Sequence, residues 1–185
     1  MAGYVFMSLN SLGDDRMLDE LTGSDIKRIN SWLTEACNMT NNDFFKKMIF
    51  CWIAFNVYYG ARYLSNNGEK QNYEPAKIRH VLSQTLTESN ARGLLNECSS
   101  NIDVLLEKTT NAYYKQYKDK YRKVHQEDKC RDAWIELIIL VEKIRNRVFH
   151  GGKTYNNPEY GNREVLLSCS TIIISTLKAI KRDLF

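Results

Sequence analysis

The stretch Trp134–Lys153, WIELIILVEKIRNRVFHGGK, decides how this chain is read. It opens as one of the most apolar runs in the sequence and closes on Arg145, Asn146 and His150, with Gly151 and Gly152 behind them. At about 100° per residue, a helix places Trp134, Leu137, Ile138, Val141, Ile144 and Val148 on one face, and Arg145 falls in the middle of it. A guanidinium keeps its charge and is almost never fully buried without a partner. Arg145 therefore demands an anion, a polar cavity or a ligand. Asn146 and His150, four residues apart, share a second face with Ile135 and Ile139 before the two glycines end the helix.

Around that stretch, 185 residues are one domain's worth of chain and enough to close one core. Two prolines and nine glycines leave little material for a turn-rich β fold, so an all-α fold is expected. A formal charge of +4 permits a polyanionic partner without requiring one. The five cysteines, Cys37, Cys51, Cys98, Cys130 and Cys169, include no C-x-x-C pair, which points to reduced, mostly buried thiols and no metal site. The N-terminus lacks the basic region and hydrophobic length of a signal peptide, and no run approaches the roughly 18 apolar residues of a membrane span. The expectation is a soluble, cytoplasmic protein with no membrane partner and no cofactor.

In chain order, residues 1–23 read as an irregular lead-in. Ser24 is the expected cap of a helix to about Asn38, with Ile26, Ile29, Trp32, Leu33 and Ala36 inward. Asn41 or Asn42 should cap a second helix to about Leu64, apolar nearly all round and so placed at the centre. Its stripe of Phe45, Ile49, Trp52, Tyr59 and Tyr63 holds one polar member, Asn56. Two readings of Asn56 are open, a satisfied core amide or a group supporting Arg145 and His150. Short helices follow over 75–86, 88–97 and 100–109, with His80 read as a surface residue. Glu127 and Asp128 are expected to begin the long helix, and a last helix runs from about Arg163 to Leu184.

Residues 113–131 are the most charged part of the chain. From 115 to 123, Lys115, Lys118, Lys120, Arg122 and Lys123 stand against Asp119 alone, and they interleave with Tyr113, Tyr117 and Tyr121. Cations for phosphates beside flat rings for unstacked bases suit single-stranded RNA. The competing reading is a solvated helix whose tyrosines pack inward. Lys118, Lys120, Arg122, Lys123, Arg147, Lys153 and Tyr155 are the candidate RNA contacts, Arg147 from an exposed face.

The spacing Arg145-Asn146-x-x-x-His150, on a long helix before a closing helix, resembles the R-N-x-x-x-H motif of HEPN domains. The run Phe50–Gly60, FCWIAFNVYYG, is similar to the second helix of one bacterial branch of that family. The resemblance covers residues 24–64 and 127–185. It implies a small helical bundle, in many members a metal-independent ribonuclease of toxin–antitoxin, anti-phage or RNA-processing systems, working as a homodimer in which two motifs face each other. Gly152 stands where some members carry a tyrosine that a partner enzyme adenylylates.

The expected architecture is thus an antiparallel four-helix bundle over residues 24–185, with a helical insertion, residues 65–126, between its second and third long helices. The expected activity is RNA cleavage by Arg145 and His150, supported by Asn146 and Asn56. Histidine exchanges protons near neutral pH, and the arginine fork fits two phosphate oxygens. The Ile135 and Ile139 face is expected to form the dimer seam. Other readings are a non-catalytic adaptor binding nucleotide or protein, a toxin held by an antitoxin or sensor protein, or a structural pairing of Arg145 with Glu142 or another carboxylate.

Overall fold

Threonine and asparagine side chains set where several helices begin. In the computed structural model, which describes residues 21–63, 73–150 and 163–180, Thr22 caps α1 (Gly23–Asn38). Its hydroxyl accepts from the Asp25 amide at 3.1 Å, and the Asp25 carboxylate accepts from the Thr22 amide at 3.2 Å. The cap is therefore Thr22 and not Ser24, because only Thr22 has an acid three residues on to close the reciprocal pair. Thr40, not Asn41 or Asn42, caps a 3-10 turn over Asn41–Asp43 that runs into α2 (Phe44–Arg62). Pro75 lies in the first turn of α3 (Glu74–Thr85), where its missing amide costs nothing. Thr87 caps α4 (Glu88–Glu97), α5 spans Ser99–Lys108, and Asn111 caps α6 (Ala112–Gln126).

The described residues close with α7 (Cys130–His150) and α8 (Arg163–Ile180), and no strand is found among them. The fold is all-helical, as the sequence predicts. Glu127 and Asp128 do not start α7. Glu127 ends α6, its amide returning to carbonyls of that helix, and Asp128 turns the chain with φ 55°, a left-handed conformation that aspartate tolerates better than most residues. Arg92 of α4 holds the Asp128 carboxylate at 3.0 and 3.2 Å. The lead-in before residue 21, residues 64–72, Lys153, Tyr155 and the expected end of the last helix near Leu184 lie outside the described residues.

The expected central helix was α2, but α7 takes that position. Every residue from Ala133 to Ile144 is buried, whereas α2 leaves Asn56 and Gly60 exposed. Helices α3, α4 and α6 pack on α7, and their buried side chains join one core with those of α1, α2 and α8. Phe45 meets Phe149 edge-on at 5.3 Å and Trp52 meets Arg145, so α2 and α7 run antiparallel. α2 and α8 run the same way, since Arg163 reaches the Asn41 carbonyl and Ser170 lies against Met48. The Trp134 indole donates to Thr176 at 3.1 Å and ties α7 to α8.

An all-round burial brings charges into the interior, and each is paired there. Glu136, 4% exposed, takes a two-pronged bond from Arg79 of α3, one arm at 2.8 Å, and lies 3.2 Å from the Lys120 ammonium of α6. The five cysteines are unpaired thiols, four buried and Cys37 exposed. Burial pushes the Cys51 thiol up to about 12.

The second apolar face of α7 is not free to form a seam. Ile135 and Ile139 are 4% and 2% exposed within the single chain, because α3, α4 and α6 cover the side that a bare α7 would show. Ile139→Asp should accordingly destabilise the protomer itself by several kcal/mol, the penalty of an unpaired charge in a core. A thermal melt followed by circular dichroism measures this. An unaltered midpoint would mean the position is wetter than the packing shows.

Candidate functional site

At its C-terminal end α7 leaves the core, and Arg145, Asn146 and Arg147 lie where burial gives way to partial exposure. The Arg145 side chain is 11% exposed. Its Nη2 donates to Glu74 Oε1 at 2.6 Å, and its guanidinium carbon stands 4.4 Å from the centroid of the Trp52 ring. Trp52 is buried on α2 and Glu74 is the first residue of α3, so three helices hold one guanidinium. The arginine that core packing could not place is thus met by an anion on one side and an aromatic face on another. Its Nε is buried and has no hydrogen-bond partner among the described residues.

Glu74 also accepts a hydrogen bond from the Tyr59 hydroxyl. Burial first, and then the Glu74 carboxylate, push that phenol far above its ordinary value, so it stays a donor. One turn before Asn146, Glu142 is 1% exposed; its Oε1 accepts from the Asn146 amide and its Oε2 lies 2.9 Å from the Lys143 ammonium. Lys143 in turn lies over the rings of Tyr73 and Tyr117, 5.5 and 5.9 Å from their centroids. Two carboxylates and two cations thus balance within one cluster. The carboxylate that takes Arg145 is Glu74 and not Glu142, the one named from the sequence.

Beside the cluster lies a cleft of about 340 Å³ lined by Asn56, Tyr59, Gly60, Tyr63, Glu74 and Lys77. Asn56 is exposed there, not a buried core amide, because its face of α2 opens onto the cleft. Asn146 is brought to the site through Glu142. His150 is the last residue of α7 and its side chain lies outside the described residues.

The expected exposure of Arg147 is corrected as well. It is half-buried, with its guanidinium 5.2 Å from the Tyr113 centroid and 5.9 Å from that of Tyr114, and one nitrogen 3.4 Å from Asn111 Oδ1. Along α6 much of the basic run serves the fold. Lys118 donates to the carbonyls of Leu106 and Thr109 at 3.1 and 2.8 Å, closing the C-terminus of α5, and partial burial pushes its ammonium below the ordinary value. Lys120 faces Glu136, Arg122 lies 3.6 Å from Asp119, and Lys123 is exposed. Tyr114 and Tyr121 are buried and Tyr117 is half-buried, leaving Tyr113 as the exposed ring. The inward packing of these rings follows from the seating of α6 against α7.

Among the described residues no group of three or more His, Cys, Asp or Glu is placed to hold a metal ion, and no helix is long and apolar enough to cross a membrane. Glu74, Tyr59 and Lys143 were not singled out by the sequence reading. Glu74 stands 71 positions from Arg145, and nothing in its own neighbourhood marks it among the 22 acidic residues of the chain. No protein-family model matches the chain, and neither a curated protein nor a solved structure matches it. What fold and geometry define is an all-helical protein with a charge-balanced arginine site at the exit of a buried helix.

Burial raises the Glu142 carboxyl above its ordinary value of 4.5, with the Glu74 carboxylate adding to the rise and Lys143 opposing it. Folding therefore favours the protonated form. The Glu142 contribution is complete below pH 4.5 and is lost as pH rises through the raised value. Glu142→Gln cannot ionise, so it should unfold at the same urea concentration as the parent in acid and at a higher one at pH 7. The opposite order at pH 7 would show that the Lys143 pairing outweighs burial. In α6, Lys118→Met should cost about 1 kcal/mol for each lost carbonyl bond, while Lys123→Ala leaves the urea midpoint in place.

Proposed function

We propose that this chain is a metal-independent endoribonuclease of HEPN type, cytoplasmic, acting in defence, a toxin–antitoxin pair or RNA processing. The observation that carries this reading is Arg145 itself. A guanidinium is held by Glu74 and Trp52 at the end of a buried helix, five residues before a histidine of the same helix. Helical geometry puts the two positions about 7.5 Å apart along the axis and on two different faces, so in this reading they meet on one phosphodiester at the end of the helix, where a second protomer closes the site.

In this reading α1, α2, α7 and α8 form the antiparallel four-helix bundle and α3–α6 are its insertion. His150 moves the proton, and Arg145 holds the scissile phosphate and stabilises its developing charge. The nucleophile is the substrate's own 2'-oxygen, so products carry a 2',3'-cyclic phosphate and a 5'-hydroxyl. One histidine is too few to take one proton and return another at the same time. A homodimer that brings the C-terminal ends of two α7 helices together supplies the second, with contacts away from the buried Ile135 and Ile139. An antitoxin or sensor protein is the expected regulator, and Lys123 with Lys153 and Tyr155 the expected outer RNA contacts.

A second reading has one observation in its favour: Glu74 already neutralises Arg145, as in a structural ion pair. On that reading the chain is a non-catalytic adaptor of the same fold that binds nucleotide or protein.

Incubation with RNA in EDTA, beside Arg145→Ala and His150→Ala, separates the two. Cleavage should persist in EDTA, leave DNA intact and fall about 10²-fold or more in each variant, a common loss for a general acid–base or charge-stabilising group. Activity that EDTA abolishes, or that survives His150→Ala, removes the mechanism, and a wild-type protein without activity leaves the adaptor.

A further inference from the structure

The arginine proposed to hold RNA is occupied in the free protein. Glu74 Oε1 sits 2.6 Å from Arg145 Nη2, the distance at which a phosphate oxygen would be bound. A carboxylate and a phosphate present the same pair of oxygens to a guanidinium, so the two compete for one place. The Trp52 ring lies against the guanidinium and its Nε is buried, so Nη2, where Glu74 binds, is the side turned toward α3.

Glu74 lines the 340 Å³ cleft and Arg145 does not, so the carboxylate stands between the guanidinium and the open volume. The Glu74 side chain is 26% exposed, which leaves it room to turn away. Lys77, three residues further along α3, lies on the same face of that helix and lines the same cleft, its ammonium 5.5 Å from the Tyr63 centroid. With Glu74 turned away, the Tyr59 hydroxyl, the Lys77 ammonium, the Asn56 amide and Arg145 Nη2 would all offer donors to one volume. Such a set matches the oxygens of a phosphodiester.

Resting on the ribonuclease reading, we infer that this cleft is the entry subsite for an RNA phosphodiester, and that Glu74 occupies its innermost position until RNA displaces it. Glu74 then sets the affinity of the site and keeps a bare arginine from binding stray anions. The cavity between α3, α6 and α7 beside Glu136 makes no equal claim, since its two cations already face that buried carboxylate.

The experiment is binding of a 2'-O-methyl RNA oligonucleotide, which lacks the attacking hydroxyl, followed by fluorescence anisotropy with the full chain. Glu74→Gln should bind about tenfold more tightly, the effect of releasing one charge-assisted bond, and its salt dependence should steepen by about 0.7 for one added phosphate contact. Glu74→Asp, which keeps the charge, should not tighten binding. Lys77→Ala should weaken it in the parent and in Glu74→Gln. Inorganic phosphate at millimolar concentration should compete, but bind more weakly than the oligonucleotide.

Unchanged or weaker binding by a Glu74→Gln protein that melts like the parent overturns the inference. So does tighter binding by Glu74→Asp, or phosphate that binds better than RNA. Should Glu74→Gln fail to fold, the Lys77→Ala comparison decides alone, and unaltered affinity there sinks the subsite. Cleavage is not the readout. An inactive parent therefore overturns the ribonuclease reading and leaves these affinities to judge the cleft, while an active parent with unmoved affinities overturns the cleft alone.

Discussion

The burial of α7 on every side is the constraint from which the rest of this structure follows. A helix with one apolar stripe can rest on a single neighbour, but one buried from Ala133 through Ile144 must be enclosed. Its charged residues then need partners that other helices supply. Glu136 draws Arg79 from α3 and Lys120 from α6. Removing one member of such a set leaves an uncompensated charge in the interior, so these pairs hold α3 and α6 in one arrangement around α7. The basic character of α6 is absorbed in the same way, with Lys118 closing α5 and Lys120 turned to Glu136.

Where α7 leaves the core, the same electrostatics changes its use. Glu136, 4% exposed, faces two cations, whereas Arg145 faces the single carboxylate of Glu74, which lines a cleft. A lone carboxylate of this kind can be exchanged by a side-chain rotation and an incoming anion. Trp52 and the buried Nε fix the guanidinium plane, so its remaining fork is held ready for a planar or tetrahedral anion, at the cost of leaving one donor unsatisfied. Glu142, Asn146 and Lys143 form a second neutral set behind it, which limits how far the arginine can move when its partner changes.

Reading the chain without its packing determined a good deal. The scarcity of proline and glycine and the spacing of apolar residues marked an all-helical protein, since these patterns are local and helices satisfy their own backbone. The periodicity of the Trp134–Lys153 stretch singled out Arg145 as a residue in need of a partner, since a guanidinium on an apolar face is anomalous in any fold. Tertiary structure alone decided which partner that is. Glu74, 71 positions away, is one acid among many until α3 folds against α7. It likewise decided that Ile135 and Ile139 face neighbouring helices of the same chain, that Asn56 opens onto a cleft, and that Arg147 packs on tyrosines. A helical pattern tells which residues share a face. What covers that face is set by the packing of distant segments, and a count along one helix carries no information about it.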